Sequence, residues 1–341
     1  MRVLVVKLSS LGDVVHTMPA VQDLCRSVPG IRIDWVVERG FAPLVRRCAG
    51  VRHVIESDLR RWRRAPLALA TRAAWRAMRE AMNAESYDAV LDLQGLTKSA
   101  LVARLAGLAP RGRRYALGNR TDGSGWEPFT RWLADVAVPI TPRTHAVMRS
   151  RLMCAQIFGY DVPRDERFGL QAKAQAAPAE VRTVLAAGAA VAPRGIVAFV
   201  HGTSRDDKQW PVADWIELGR RLEAAGWAVA LPHGSDAEQR RSETIAAALA
   251  RATVWPRLSI DALSDALVGC AGVVGVDSGL SHIAVALGLP HVQIYNHDTA
   301  WRTGPTGAAW QRSVFAQPAP AVDAVWQAWQ DVSDAWRRRG T

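Results

Sequence analysis

Cysteine is scarce, with four in 341 residues, and Cys25, Cys48, Cys154 and Cys270 lie far apart in apolar or helical contexts. No CxxC pair or ligand cluster is formed, which excludes a disulfide framework and a thiolate metal site and leaves buried free thiols as the expectation. Long apolar runs are also missing. None approaches the roughly 18 residues of a membrane-spanning helix, and Val3–Val6 is too short for a signal-peptide core, so a cytoplasmic protein is expected. No GxGxxG follows Val3–Val6 or Ile196–Val200, which argues against a nicotinamide-dependent dehydrogenase. His291, His297 and Asp298 match no standard zinc spacing, so no metal is expected. Acidic residues are in deficit: 32 Asp and Glu against 43 Lys and Arg leave a net charge of +11. Such a chain needs a polyanionic partner or must tolerate one. Nucleic acid, an anionic membrane surface and a phosphorylated lipid all qualify. The basic residues are scattered and no nucleic-acid recognition motif occurs, so nucleic acid is not expected, although a basic nucleic-acid-binding protein is the alternative from another class.

What the chain does have is a 49% hydrophobic fraction and a length beyond one comfortable core, which together imply two globular domains. Both halves alternate apolar strand-like runs with helical patterns, the order of an α/β protein with parallel sheets. A proline-punctuated stretch over 159–178 places the boundary, giving domains at 1–165 and 175–320. Val322–Arg338, with Trp326, Trp329 and Trp336, reads as a terminal helix within a third segment, 321–341.

The opening stretch organises the first half. Val3–Val6 suits a strand buried on both faces, and Lys7 ends it. Lys7 to Asp13 then makes a small, polar loop where open α/β sheets bind ligands. Val14, Met18, Val21 and Leu24 recur at helical spacing, with Pro19 implying a helix that starts near Thr17 or kinks there. Asp13 reads either as a helix N-cap or as a carboxylate free to take a proton from a substrate hydroxyl.

Ile31 to Val37 and Val51 to Ile55 read as strands, Gly40 to Arg47 as a short helix and Ala65 to Ala84 as a longer one. Between them, Arg60, Arg61, Arg63 and Arg64 surround Trp62, either as a solvated face or as guanidinium forks for phosphate and carboxylate. Tyr87–Leu93 is a strand running into Gln94-Gly95-Leu96-Thr97-Lys98, where Lys98 opens a helix. Arg111 to Trp126, with Gly118, Gly123 and Gly125, reads as a loop, and His145 to Phe158 as a helix.

In the second half, Ile196–Val200 repeats the buried-strand pattern and leads into His201-Gly202-Thr203-Ser204-Arg205-Asp206-Asp207-Lys208-Gln209-Trp210-Pro211. Two hydroxyls and a lysine on one loop form an anion clamp. Trp210 reads as packing and Pro211 as a helix start. Val229–Leu231 is the next strand, followed by a loop carrying Glu238, which reads either as a carboxylate for a ribose diol or as an acid in the first turn of a helix. Val273–Val276 feeds Asp277-Ser278-Gly279-Leu280-Ser281-His282. A strand running into a glycine turn and a helix presents free backbone N–H groups and the positive helix end, which hold a pyrophosphate without a metal. His291–Tyr295 is a further strand.

The run from Val5 to Ala20 resembles the opening of the family 9 glycosyltransferases, the heptosyltransferases of lipopolysaccharide synthesis. Asp92-Leu93-Gln94-Gly95, the segment Thr203 to Pro211, and Asp277 to His282 are similar to further motifs of that family. Serine replaces threonine at 204 and 278, Gly125-Trp126-Glu127-Pro128 stands where relatives carry Ala-Arg-Glu-Pro, and Asn296-His297-Asp298-Thr299 replaces Gly-Pro-Thr-Asp. The resemblance implies the GT-B arrangement, two Rossmann-like α/β domains facing across a cleft, with the terminal helix packing back across them. It implies inverting transfer of L-glycero-D-manno-heptose from ADP-heptose to the inner Kdo of Kdo-lipid A, without metal or other cofactor. Asp13 would be the base and Lys208 would stabilise the departing ADP. Thr203, Ser204, Lys208, Glu238, Leu258, Asp277, Ser278, Gly279 and His282 would bind the donor. Ser10, Gly12, Arg60, Arg61, Arg63, Lys98 and Arg120 would bind the acceptor. A monomer working peripherally at the anionic cytoplasmic face of the inner membrane is expected, and the alternative within the family is a member acting on an already heptosylated core.

Overall fold

The computed structural model describes residues 1–339, and the chain divides into two compact units with the boundary between Leu170 and Gln171. Unit 1 holds the parallel strands β1 (Arg2–Val6), β2 (Arg32–Glu38), β3 (Val51–Ser57), β4 (Tyr87–Asp92), β5 (Leu108–Leu117) and β6 (Val136–Val138) in the order β3-β2-β1-β4-β5-β6. Unit 2 holds β7 (Ile196–Val200), β8 (Ala228–Leu231), β9 (Ala252–Val254), β10 (Gly272–Val276), β11 (His291–Tyr295) and β12 (Gln311–Phe315) in the order β12-β11-β10-β7-β8-β9. Counted from its own first strand, each unit has the order 3-2-1-4-5-6. Both are Rossmann-like, and in both the direction of strand addition reverses beside the first strand, the place where doubly wound sheets bind ligands.

The central strands owe their position to their side chains. Val3, Leu4, Val5 and Val6 are fully buried, as are Val197, Ala198 and Phe199. Only a strand covered on both faces can bury consecutive residues, because successive side chains point to opposite sides. Each fully buried Val or Leu contributes about 1.5–3 kcal/mol relative to exposure, enough to hold these strands at the centre of their sheets. In unit 2 the aromatic residues Trp210, Trp215, Trp227 and Trp329 join the core, and Val322–Arg338 packs on β11, β12 and the helix Val212–Ala224 of the same unit.

Several sequence expectations are corrected. The helix after β1 begins at Leu11 and runs through Pro19 to Ser27, so it does not start near Thr17. Ser10 is its N-cap and Asp13 the third residue of its first turn. The helix expected over Ala65 to Ala84 starts only at Leu69, because Pro66 lies in a turn after the short helix Leu59–Trp62. Residues Arg111–Leu117, expected in a loop, belong to β5, where they pair with β4 and β6, and the loop begins at Gly118. Here ladder pairing overrides a basic composition with few apolar residues. Cys48, Cys154 and Cys270 are buried, but Cys25 is exposed near the C-terminal end of its helix. Among the described residues no helix is long and apolar enough to cross a membrane.

Two core histidines set an acid limit on unit 2. His201 and His291 are fully buried, His201 with Nε2 2.7 Å from the Ser242 hydroxyl and His291 with Nδ1 3.0 Å from the Val273 carbonyl. Burial, aided by Arg241 and His233, lowers the His201 pKa to about 4, and burial lowers that of His291 to about 3. Below pH 6.5 the unfolded chain takes up protons that the folded chain refuses, so stability present above 6.5 falls as pH drops through these values. Between pH 7 and 5 the pair costs about 4 kcal/mol. Denaturant titrations of unit 2 fluorescence at the two pH values should show this loss, and replacing both histidines by Gln should abolish most of it.

Candidate active site

At the reversal point of unit 1, the loops after β1 and β4 interlock. Gln94 Oε1 accepts the backbone N–H of Leu8 at 2.7 Å and that of Ser9 at 3.4 Å. Lys98 Nζ reaches Ser9 Oγ at 3.2 Å. Ser10 caps the helix Leu11–Ser27, and Asp13 Oδ2 accepts its N–H at 3.1 Å and its hydroxyl at 2.9 Å, a capping box with Asp in the third position. Asp13 is therefore not the N-cap itself, yet the acid belongs at this helix end on electrostatic grounds.

Two buried cations face the same carboxylate. Lys7 Nζ and Arg149 Nη2 each lie 3.7 Å from Asp13 Oδ1, and the Lys7 and Arg149 residues are only 2% and 6% exposed. Lys7 also donates to the Leu93 carbonyl at 3.0 Å, and Arg149 to Thr121 Oγ1 at 3.3 Å. Crowding by protein opposes ionisation of Asp13, but Lys7, then Arg149 and His16, and the Ser10 hydroxyl outweigh it and hold the carboxyl well below its usual range. Burial, only partly offset by Asp13, lowers the Lys7 pKa to about 8. The result is a carboxylate that stays ionised at every working pH, fixed by its own helix on one side and by two cations on the other.

Asp92, at the end of β4, is 1% exposed and accepts the N–H groups of Gln94 at 3.0 Å and Gly95 at 3.2 Å through Oδ1. Burial raises its pKa to about 6, against the pull of the Ser99 hydroxyl, these amides and Lys7. The folded state binds the proton more tightly than the unfolded chain, so the contribution is fully present below pH 3.8 and lost as pH rises through 6. Asp92→Asn, which keeps an acceptor for both amides, should stabilise unit 1 by about 2 kcal/mol at pH 7.5 and not at pH 4, as read from urea titrations at the two pH values.

At the reversal point of unit 2, the loop after β7 meets the turn after β10. Lys208 Nζ lies 2.5 Å from Asp277 Oδ2, His282 Nε2 lies 3.4 Å from Asp277 Oδ1, and Thr203 Oγ1 donates to the Asp277 carbonyl at 3.4 Å. Burial works against the Asp277 charge, but His282 and Lys208 overcome it and hold its pKa far below the carboxylate range. Ser278 caps the helix Gly279–Ala286 by accepting the Ser281 N–H at 3.5 Å, which leaves the first amides of that helix pointing out of its end. Glu238 lies in the first turn of the helix Asp236–Ala246, and its Oε2 accepts the Gly234 N–H at 2.6 Å. A Cβ on Gly202 would come within 2.5 Å of Glu238 Oε1, so a larger residue there would push this carboxylate away from its present position against the loop after β7.

Thr203, Lys208, Asp277, Ser278, Gly279, His282 and Glu238 thus gather at one sheet edge, with Ser204 exposed on the same loop. Leu258 lies in the segment before the helix Ile260–Val268. In unit 1, Ser10, Gly12, Asp13 and Lys98 come together, while Arg60, Arg61, Arg63 and Arg120 are exposed on neighbouring loops and short helices. Residues missed from the sequence are Lys7 and Arg149 around Asp13, whereas Gln94 stood in the Asp92–Gly95 motif; Asn296, in the segment that departs from the family spelling, donates through Nδ2 to the Gln209 carbonyl at 2.7 Å and the Asp207 carbonyl at 3.4 Å. Lys7 carried a signal, a charge directly continuing a fully buried strand. Arg149 carried none, since one arginine in a helix has no visible partner. Among the described residues no group of three or more His, Cys, Asp or Glu could hold a metal ion.

Residues 75–322 match the profile of glycosyltransferase family 9 (heptosyltransferase). Lipopolysaccharide heptosyltransferase 1 of Escherichia coli K12 is 40% identical over 296 residues, 86% of this chain and 88% of that protein. The Pseudomonas aeruginosa protein of the same name is 38% identical over 308 residues, 90% of this chain and 82% of that protein. Among solved structures, E. coli heptosyltransferase WaaC with ADP superposes with a TM-score of 0.82 at 36% identity, covering 96% of this chain and 98% of that one. The same enzyme with ADP-2-deoxy-2-fluoro heptose gives a TM-score of 0.74 at 34% identity over the full length of both chains. With a family profile over residues 75–322 and relatives 38–40% identical over 86–90% of its length, this chain belongs to glycosyltransferase family 9, a family of GT-B enzymes that transfer sugars.

Proposed function

We propose that this glycosyltransferase moves L-glycero-D-manno-heptose from ADP-heptose to the inner Kdo of Kdo-lipid A, with inversion at the anomeric carbon, in lipopolysaccharide inner-core synthesis. The observation that carries the reading is Asp13, held by its capping box and faced by Lys7 and Arg149 at 3.7 Å, at the reversal point of a chain 38–40% identical to proteins named lipopolysaccharide heptosyltransferase 1. Unit 2 supplies the donor site. Lys208, Thr203, Ser204 and the amides at Ser278 and Gly279 receive the diphosphate, Glu238 the ribose hydroxyls, and the chain around Leu258 the base. His282 and Lys208 are oriented by Asp277, and no metal is required.

The acceptor hydroxyl bonds to the anomeric carbon as ADP leaves with the electron pair of its bond. A carboxylate with so low a pKa is a weak base toward a free alcohol. It becomes a competent one as the new C–O bond forms and the hydroxyl turns acidic, so the proton passes late to Asp13. Lys208 and the helix amides meet the charge growing on the leaving diphosphate. Ser10, Gly12 and Lys98 stand next to Asp13 to hold the Kdo, with Arg60, Arg61, Arg63 and Arg120 available for the acidic and phosphorylated parts of the acceptor. A monomer bound peripherally to the cytoplasmic face of the inner membrane accords with the +11 charge and with exposed Leu67, Leu69 and Trp132 in unit 1. Incubation of the enzyme with ADP-heptose and heptose-free Kdo-lipid A should raise the acceptor mass by one heptose with inverted configuration. An unchanged acceptor under conditions where the E. coli relative reacts would refute the proposal.

A further inference from the structure

A concavity lies in unit 1, lined on one side by Lys98 and walled by Leu59, Trp62, Trp75, Leu101 and Val102, with a volume of about 640 Å³. Its walls are apolar, and Trp75 stands edge-on to Trp62 with ring centroids 5.4 Å apart. Trp75 is 37% exposed and Leu101 51% exposed, and Leu67 and Leu69 nearby are 76% and 83% exposed. Large apolar side chains left open in one place mark a binding surface. The rim is cationic, made by Arg60, Arg63, Arg72 and Lys98. Among the described residues Arg60, Arg63 and Arg72 make no salt bridge. On the floor Glu38 is 6% exposed, and its Oε1 has no hydrogen-bond partner. Burial raises the pKa of this carboxyl against the attraction of Lys98 and Arg60.

An apolar trough ringed by cations, three of them without a salt bridge, fits one chemistry, an anionic amphiphile whose hydrocarbon lies in the trough and whose phosphate sits on the guanidinium groups. The trough is concave and leads through Lys98, hydrogen-bonded to Ser9, to the Ser10–Asp13 capping box. This continuity favours a bound ligand over a flat bilayer surface. We infer that the groove holds an acyl chain of the phosphorylated glycolipid acceptor, with Trp75 and Leu101 gripping hydrocarbon, Arg72 joining Arg60 and Arg63 on a phosphate, and Glu38 accepting a hydroxyl or amide proton of the headgroup. The inference rests on the acceptor reading above and adds that the enzyme selects acceptors by their acylation.

The test pairs kinetics with binding. With the acylated acceptor, Trp75→Ala and Leu101→Ser each raise KM about tenfold, and with the fully deacylated acceptor both variants match the parent in kcat and KM. Equal changes on both acceptors, or none on either, overturn the inference. Calorimetric titration with dodecyl phosphate below its micelle threshold is independent of the reaction. One saturable site is expected, weakened about tenfold by Trp75→Ala and by Arg72→Ala, while dodecyl maltoside binds at least tenfold more weakly. Absence of a saturable site, or indifference to these substitutions, overturns the proposal even if the enzyme proves active on Kdo-lipid A. If it proves inactive there, the titration still decides whether the groove takes an anionic amphiphile. Loss of binding to phosphatidylglycerol vesicles in the variants with dodecyl phosphate binding intact would assign the surface to the bilayer instead.

Discussion

Asp13→Asn should lower kcat about a thousandfold with little change in KM for either substrate, the loss expected when a positioned proton acceptor is neutralised. The amide oxygen can still accept the Ser10 N–H, so the capping box survives and the fold is a fair control. What disappears is the charge that both Lys7 and Arg149 face. Lys7, already lowered to about 8, then sheds its proton more readily, because the anion that favoured its charged form is gone. A kcat within tenfold of the parent would remove Asp13 from the chemical step and leave it a helix-capping role.

The second large effect belongs to Lys208. Lys208→Met should reduce kcat/KM by about 10²–10³, equivalent to roughly 3–4 kcal/mol of transition-state stabilisation, because the ammonium meets charge that grows as the diphosphate departs. Lys208→Arg, which keeps the charge and its attraction to Asp277, should recover part of the loss. Arg205, exposed and engaged with Asp207, serves as the comparison, and Arg205→Ala should change turnover little. If both substitutions had equal effect, the lysine would be acting through general electrostatics and not as a phosphate clamp.

The central strands of both sheets were legible because consecutive buried apolar residues have few other destinations, and the loops at their ends were legible because strand, glycine turn and helix cap follow one another in sequence. β5, β6, β9 and β12 were not. Arg111–Leu117 carries Gly112 and three arginines, and only ladder pairing with neighbouring strands makes it β structure. β6 and β9 span three residues each, too few for any periodicity. At the site, Asp13, Lys208, Asp277 and His282 stood in recognisable local motifs. The ion pairs that set their chemistry did not, since Lys7 and Arg149 meet Asp13 from a strand end and from a helix more than 130 residues further along. The Asn296 segment departs from the family spelling, yet its amide holds the Lys208 loop through two backbone carbonyls, a role visible only once β11 is placed next to β10.

The most direct measurement is ADP release from ADP-heptose with two acceptors, heptose-free Kdo-lipid A and the same lipid already bearing one heptose. Rapid, acceptor-dependent release with the first and none above background with the second is the expected result. Release that prefers the heptosylated acceptor, or that ignores both, would contradict a first-heptose transfer at Asp13.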